Sequence, residues 1–251
     1  MEQTIATESA QREALTLHHL SSSQSFRVLW ALEELSAAHG LQYTIRCYKR
    51  INGLAPPEMK KIHPLGKSPI LVVDGQSPLE HTVRVESRLI LRWLSETYEV
   101  GMWTPKTAQD SARDALWEEF GVSTLNTIVN LALSFEAVPP ALPFYIRPIF
   151  SSFCYAIANF HLQKLGPGLA LMEDVLTDER PWFAGPKLGL SDINLVWPID
   201  VASQRGWFDA KQFPKVAAWH QRIHERPAYK RALEKGGSYD LITFDYPKRW
   251  L

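Results

Sequence analysis

The chain has only two cysteines, Cys47 and Cys154, among 251 residues. Two thiols cannot build a disulfide framework or a four-thiolate zinc site, so a reducing, cytoplasmic setting is expected. No charge of either sign is in excess: 27 Lys and Arg are matched by 27 Asp and Glu. That balance lacks the concentrated positive field that nucleic acid or anionic lipid requires, and no nucleic-acid partner is expected. No window offers the ~18 uninterrupted apolar residues of a spanning helix, which excludes a transmembrane segment at this level. Glycine-rich phosphate loops of both common types are missing, which argues against a nucleotide site. Met1 to Ala14 lacks the basic start and apolar stretch of a secretory signal and reads as a loose leader.

Apolar residues make up 45% of the chain and charged ones 22%, ordinary globular values. At roughly 150 residues per domain the length suits one or two domains. Leu15-Thr-Leu-His-His-Leu20 alternates like a strand and ends at Ser21-Ser22-Ser23. From Ser25 onward, Phe26, Val28, Leu29, Leu32 and Leu35 recur at helical spacing until Gly40. Tyr43 to Tyr48 reads as a strand, Asn52-Gly53 and Pro56-Pro57 as a loop, and Pro57 to Ile62 as at most a short helix. Pro69 to Asp74 and His81 to Val85 read as strands around a turn at Gly75-Gln76, although Ser77 to Arg84 is irregular in pattern. Helical spacing returns at Leu89, Ile90, Trp93 and Leu94 and runs to about Tyr98.

After Trp103-Thr-Pro105 the strand signals stop, and Ala108 to Phe135, Pro148 to Leu176, Asp192 to Gln204 and Pro214 to Leu233 read as helices. Change of class at a proline-marked junction predicts an α/β domain over 15–100 and an all-helical domain over 106–240. Between Glu119 and Lys164 the only acidic or basic side chains are Glu136 and Arg147, His161 aside. Pro139, Pro140, Pro143 and Pro148 rule out one straight helix there. A core, a dimer face or an apolar ligand pocket accounts for the stretch better than membrane contact.

Four short segments could carry chemistry. Ser21-Ser22-Ser23 lies where a strand hands over to a helix; the serines either cap the helix or, with its N-terminus, hold an anion or a thiolate. Ser68-Pro69 is an ordinary strand entry or, if cis, frees the Ser68 main chain to pair with an extended peptide ligand. Glu86-Ser87 opens a helix, as a first-turn acid and cap or as a grip on an amino-acid head group. His220-Gln-Arg-Ile-His224 sets two imidazoles one turn apart, but no third ligand suggests itself. A solvated helix face is expected there, and no metal.

Taken in order, these segments resemble the glutathione transferase family. The resemblance is carried by Ser23-Gln-Ser-Phe-Arg-Val-Leu-Trp-Ala-Leu-Glu-Glu-Leu35, by Ala55-Pro-Pro-Glu-Met-Lys-Lys-Ile-His-Pro-Leu-Gly-Lys-Ser-Pro-Ile-Leu71 and by Val85-Glu-Ser87. Trp182-Phe-Ala-Gly-Pro-Lys-Leu-Gly-Leu-Ser-Asp192 resembles the second domain of that family. The second segment looks like the fungal and bacterial branch, in which serine precedes the proline. The resemblance implies a thioredoxin-like first domain, an all-helical second domain and a homodimer with glutathione lying along the first domain. It further implies that the Ser68 main chain pairs with the cysteinyl part of glutathione, with Pro69 cis. Glu86 and Ser87 would hold the γ-glutamyl end, while Lys67 and the loop near Tyr48 to Arg50 reach the glycyl carboxylate. Ser23 matches the serine that supports the thiolate in serine-type members, with Ser22 and Ser21 as substitutes because register at a strand end is uncertain by one residue. The apolar electrophile pocket would come from the charge-poor stretch, with Phe120, Asn126, Asn130 and Phe135 as liners.

Two departures from the family pattern stand out. The strand-to-helix turn carries no cysteine, which demotes disulfide exchange. Gly189 stands where the family usually has a serine or threonine three residues before Asp192, so half of a capping box is lost and the helix start is expected to be weaker by a few tenths of a kcal/mol. The leading expectation is conjugation of the glutathione thiolate to a small hydrophobic electrophile. Glutathione-assisted cis–trans isomerisation or another tailoring role in secondary metabolism, peroxide reduction, and a non-catalytic binding module are the alternatives.

Overall fold

The computed structural model describes residues 14–51, 53–75, 81–98 and 101–243. The expected leader up to residue 13, Asn52 of the expected loop, Gln76 of the expected turn and residues 77–80 of the irregular stretch lie outside the described residues. Within them the chain runs β1 (Ala14–Leu20), α1 (Ser25–His39), β2 (Thr44–Tyr48), a 3-10 turn at Pro57–Lys61, β3 (Ile70–Asp74), β4 (His81–Val85) and α2 (Ser87–Tyr98). The strands form one mixed sheet in the order β2-β1-β3-β4. β2 is parallel to β1, as the crossover through α1 allows, while the β1–β3 and β3–β4 pairs are antiparallel. β1 and β3 are the inner strands, which is why Ile70 to Val73 are all buried instead of alternating.

Helix α1 is buried continuously from Ser25 to Leu35, because the sheet covers one side and helices α7 (Leu190–Gln204) and α9 (Pro227–Gly236) the other. Gly40 ends it in the left-handed conformation at φ 66°, its N–H returning to Ser36 O. Two carboxylates fasten this two-sided packing. Glu33 on α1 accepts from Tyr43, Arg231 and Lys235, and Glu34 accepts from Arg226 and from Trp30 Nε1. A third carboxylate, Glu118 of α3 (Ala108–Glu119), takes both Arg88 and Arg92 of α2.

No further strand follows among the described residues. The remaining helices are α3 (Ala108–Glu119), α4 (Asn126–Ala141), α5 (Arg147–Leu162), α6 (Leu165–Val175), then α7, α8 (Pro214–Glu225) and α9. The single helix expected over Ala108 to Phe135 is interrupted by a π turn at Phe120–Leu125. Close approach explains why Gly121 sits there: a Cβ would stand 3.0 Å from Leu195 Cδ2 of α7. Pro139 and Pro140 lie in the last turn of α4, where few helical bonds remain to be lost, and the chain breaks after Ala141 instead. Val129, Ala132, Leu133 and Ala158 from the charge-poor stretch enter the core, whereas Phe144, Tyr145, Ile149 and Phe153 face solvent in the single chain. No helix among the described residues is long and apolar enough to cross a membrane.

The start of α7 lacks the local side-chain cap, as expected, but is capped from elsewhere in the fold. Asp192 supplies its half of the box, accepting from Gly189 N at 2.9 Å, and also takes Phe183 N and Trp219 Nε1, both at 2.8 Å. Burial pushes the Asp192 carboxyl up to about 6 in spite of these bonds. The missing hydroxyl is replaced from another helix: Asp114 of α3 accepts from Ser191 N at 2.9 Å. That exchange demands glycine, because a Cβ on residue 189 would lie 2.3 Å from Ala184 Cβ and 2.7 Å from Asp114 Oδ1. Gly189→Ser, which supplies a capping hydroxyl, is therefore expected to lower stability by about 1–3 kcal/mol through overpacking. Urea denaturation of the two proteins checks the sign.

Candidate active site

A cleft of about 510 Å³ opens where the β1–α1 turn, the loop before β3 and the β4–α2 junction face α4 and α7. At its floor, Ser68 Oγ donates to His18 O and accepts from Leu20 N, both at 3.0 Å. That hydroxyl is spent on the end of β1, so what Ser68 offers a ligand is its main chain. The Ser68–Pro69 peptide bond is cis. At the far side Glu86 adopts φ +67°, uncommon for a residue with a Cβ and a kind of strain that gathers at ligand sites. Ser87 beside it begins α2 and accepts from Arg27 Nη2 at 2.7 Å. Lys67 and Arg50 add positive charge to the same cleft, where Arg50 braces Ser22 O and Gly53 O.

The three serines of the turn have separate partners. Ser21 donates its N–H to Tyr48 O at 2.9 Å and does not line the cleft. Ser22, at φ +50°, donates its hydroxyl to Ser238 O and accepts from Asp240 N, which ties the turn to the chain after α9. Ser23 lines the cleft. Its hydroxyl donates to Leu20 O at 2.8 Å, its Oγ lies 2.9 Å from Ser25 Oγ, and it accepts from Ser25 N at 3.2 Å. Ser25 Oγ continues to His19 Nδ1 at 2.6 Å. Burial drives His19 down to about 4 against backbone contacts from Gly236 and Ser25, so the ring is neutral near pH 7. Its Nε2 faces Gly236, where a Cβ would stand 3.1 Å away. The network assigns the proton to Nε2 and leaves Nδ1 to accept from Ser25, so the one Ser23 hydrogen faces Leu20 O and Ser25 Oγ.

Gln24, which pattern reading passed over, also lines the cleft. Its Oε1 accepts from Arg27 Nη2 and from Asn126 Nδ2, which turns its amide hydrogens away from both. Asn126 therefore stands behind Gln24, whereas Asn130 reaches the cleft wall beside Leu133, Ser134 and Trp197. Phe120 and Phe135 do not belong to this wall. A π turn holds one residue more than an α turn, so the faces before and after it fall out of line. Phe120 consequently points to a separate hollow with Lys164, Pro167 and Leu171. Phe135 stacks on His161 of α5, 6.4 Å between ring centres. Leu133 and Ser134 lie three and four residues beyond Asn130, so helical spacing could have found them; Trp197 carries no such signal. Cys47 stays apart from the cleft: burial raises its thiol, which donates to Lys235 O at 3.4 Å.

A family model described as glutathione S-transferase, N-terminal domain, matches residues 21–97. Over 240 residues the chain is 30% identical to glutathione S-transferase 3 of Schizosaccharomyces pombe, covering 94% of this chain and 93% of the relative. The chain belongs to the glutathione S-transferase family. It is also 25% identical to glutathione S-transferase 1 of Saccharomyces cerevisiae, covering 88% of this chain and 94% of that one. A solved glutathione S-transferase from Actinobacillus pleuropneumoniae superposes with a TM-score of 0.70 at 26% identity, covering 92% of this chain and 99% of its own. A domain of unknown function matches residues 159–232. The architecture is thus the glutathione transferase fold: a thioredoxin-like mixed sheet with its helices, followed by helices alone.

In this family member the buried His19 sets a pH dependence. Its folded pKa of about 4 lies below the ordinary 6.5, so the unfolded chain binds the extra proton between those values. Stability is full above pH 6.5 and falls as pH drops toward 4, by on the order of 3 kcal/mol. His19→Gln is expected to remove that contribution, which shows as a smaller loss of denaturation midpoint between neutral and acidic buffer than in the natural chain.

Proposed function

We propose that the protein is a glutathione transferase whose Ser23 hydroxyl stabilises the thiolate of bound glutathione for attack on a small hydrophobic electrophile. The observation that carries this reading is the convergence of Ser23, Lys67, Ser68, Pro69, Glu86 and Ser87 on one cleft whose opposite wall is Asn130, Leu133 and Trp197. Glutathione, a co-substrate, brings two carboxylates, an ammonium group and a thiol. Lys67 and Arg50 suit the glycyl carboxylate, the Ser68 main chain the cysteinyl amide, and Glu86 with Ser87 the γ-glutamyl ammonium and carboxylate. The sulfur then lies at the N-terminus of α1, whose partial positive charge favours the anion.

Ser23 is the serine of the turn that lines the cleft; its hydroxyl donates to Leu20 O, and turning to a thiolate exchanges that bond for a charge-assisted one. Ser25 is committed to His19, and Ser22 to the chain after α9. The thiol releases its proton to solvent, Ser23 donates to the thiolate, and Gln24 presents its amide from the same turn. Sulfur forms a bond to the electrophilic carbon, and the leaving group departs with its electron pair. Leu133 and Trp197 supply apolar surface that holds the electrophile at attack distance.

An ultraviolet titration of the protein–glutathione complex across pH tests this reading, since the thiolate absorbs where the thiol does not. Ser23→Ala is expected to raise the bound thiol pKa by about 1–2 units, the worth of one hydrogen bond to a charged group, and to slow turnover of an aryl halide by about 10–100-fold near neutral pH. Glutathione affinity is expected to change little. A wild-type titration in Ser23→Ala would remove Ser23 from this role, and failure of the natural chain to bind glutathione would end the transferase reading. Glu86→Ala is expected to act on the other end of the ligand: glutathione affinity falls about 10-fold or more, while the pKa of whatever thiol binds stays put. Isothermal titration with glutathione measures the first and the ultraviolet signal the second.

A further inference from the structure

His220 and His224 do not form the solvated face their spacing suggested. Both Nε2 atoms converge on one carboxylate oxygen, Asp200 Oδ1, at 2.6 and 2.8 Å. Asp200 is the third ligand that the sequence did not disclose, because it lies twenty residues earlier, on α7. Its other oxygen, Oδ2, accepts from Tyr229 OH at 2.9 Å and Tyr239 OH at 2.8 Å. We propose that Asp200, His220 and His224 form a binding site for one divalent transition-metal ion, zinc being the ion that best suits the donor set.

Four features support the site. Two imidazole nitrogens and one carboxylate oxygen, all within 4.8 Å of one another, are a donor set that zinc takes readily. The second carboxylate oxygen is held by two phenols and the His224 ring is stacked on Tyr229 at 4.4 Å, an outer layer that fixes the ligands in place. Asp200 is buried. None of its four donors is a lysine or arginine, so no permanently charged side chain occupies the place a cation would take. Finally, the His224 side chain is 41% exposed, which gives an ion a route from solvent.

Entry exchanges two N–H···O bonds for metal–ligand bonds. Each imidazole moves its proton from Nε2 to Nδ1 and turns a lone pair to the ion. Bonds of ~2.0–2.1 Å at tetrahedral angles place ligand atoms about 3.3 Å apart, so each ring retreats by roughly half an ångström. Three protein ligands leave the fourth position to water on the His224 side. Because protonated imidazoles do not ligate, affinity weakens as the solution is acidified. The site does not rest on the glutathione reading, although Tyr239 also stacks on Phe26 of α1, 4.2 Å between ring centres.

The test is a titration of the full-length chain, freed of any affinity tag and stripped with a chelator, with cobalt(II) chloride. The visible absorption of four-coordinate cobalt is expected to saturate at one equivalent and to be displaced by zinc chloride. Zinc in large excess over its dissociation constant is expected to raise Tm by about 5 °C. His224→Ala, at the exposed corner of the cluster, keeps the fold and is expected to lose the absorption and the Tm shift; His220→Gln gives an independent loss. A flat titration of the natural chain overturns the proposal, as does a cobalt spectrum that survives in both histidine variants.

Discussion

The guanidinium of Arg27 is the constraint on which the rest of the structure depends. It is fully buried on α1, yet it reaches four acceptors in different parts of the chain: Gln24 Oε1, Ser87 Oγ, and both the carbonyl and the side-chain oxygen of Asn194. Burial lowers its pKa only to about 10, with Tyr239 and Glu118 opposing the fall, so the charge persists at neutral pH. A charge that cannot reach water must be met by well-placed dipoles, and meeting it brings the turn before α1, the start of α2 and the middle of α7 together. Those three places are also three walls of the cleft. Gln24 and Ser87 line it directly, and Trp197 stands three residues beyond Asn194.

The same economy of partners runs through the hydroxyls around the cleft. Ser22 is used to hold the chain after α9, Ser25 to meet His19, and Ser68 to close the end of β1. Each commitment removes a competitor for a ligand and rigidifies the turn beside it. Ser23 is the serine of the β1–α1 turn that lines the cleft, its hydroxyl held by the Leu20 carbonyl at the end of β1. The neutral state of His19, imposed by burial, orders the protons in this chain: a charged imidazole would donate to Ser25 and reverse it.

Long-range substitution of one group for another recurs at α7. A local cap is absent at Gly189, and Asp114 supplies it from α3, with Asp192 holding three more donors. Asp200, further along the same helix, gathers two histidines and two tyrosines from α8, α9 and the chain beyond. Buried carboxylates therefore anchor both ends of α7, each by collecting donors from elements distant in sequence.

Local order was determined by the sequence itself. The period-two alternation of Leu15 to Leu20, the helical recurrence from Phe26 to Leu35 and the apolar run Ile70 to Val73 each name their element, because backbone period and side-chain burial are linked residue by residue. That Ser21 to Ser23, Ser68, Glu86 and Ser87 stand at strand ends and helix starts was also legible, and there free main-chain groups and partial charges collect. Only the tertiary structure decided which serine faces the cleft, that Phe120 and Phe135 turn away from it, that Asp114 caps α7 and that Asp200 lies between His220 and His224. Each of these depends on a contact across the fold or on one extra residue in a π turn, and neither leaves a period or a spacing for the sequence to display.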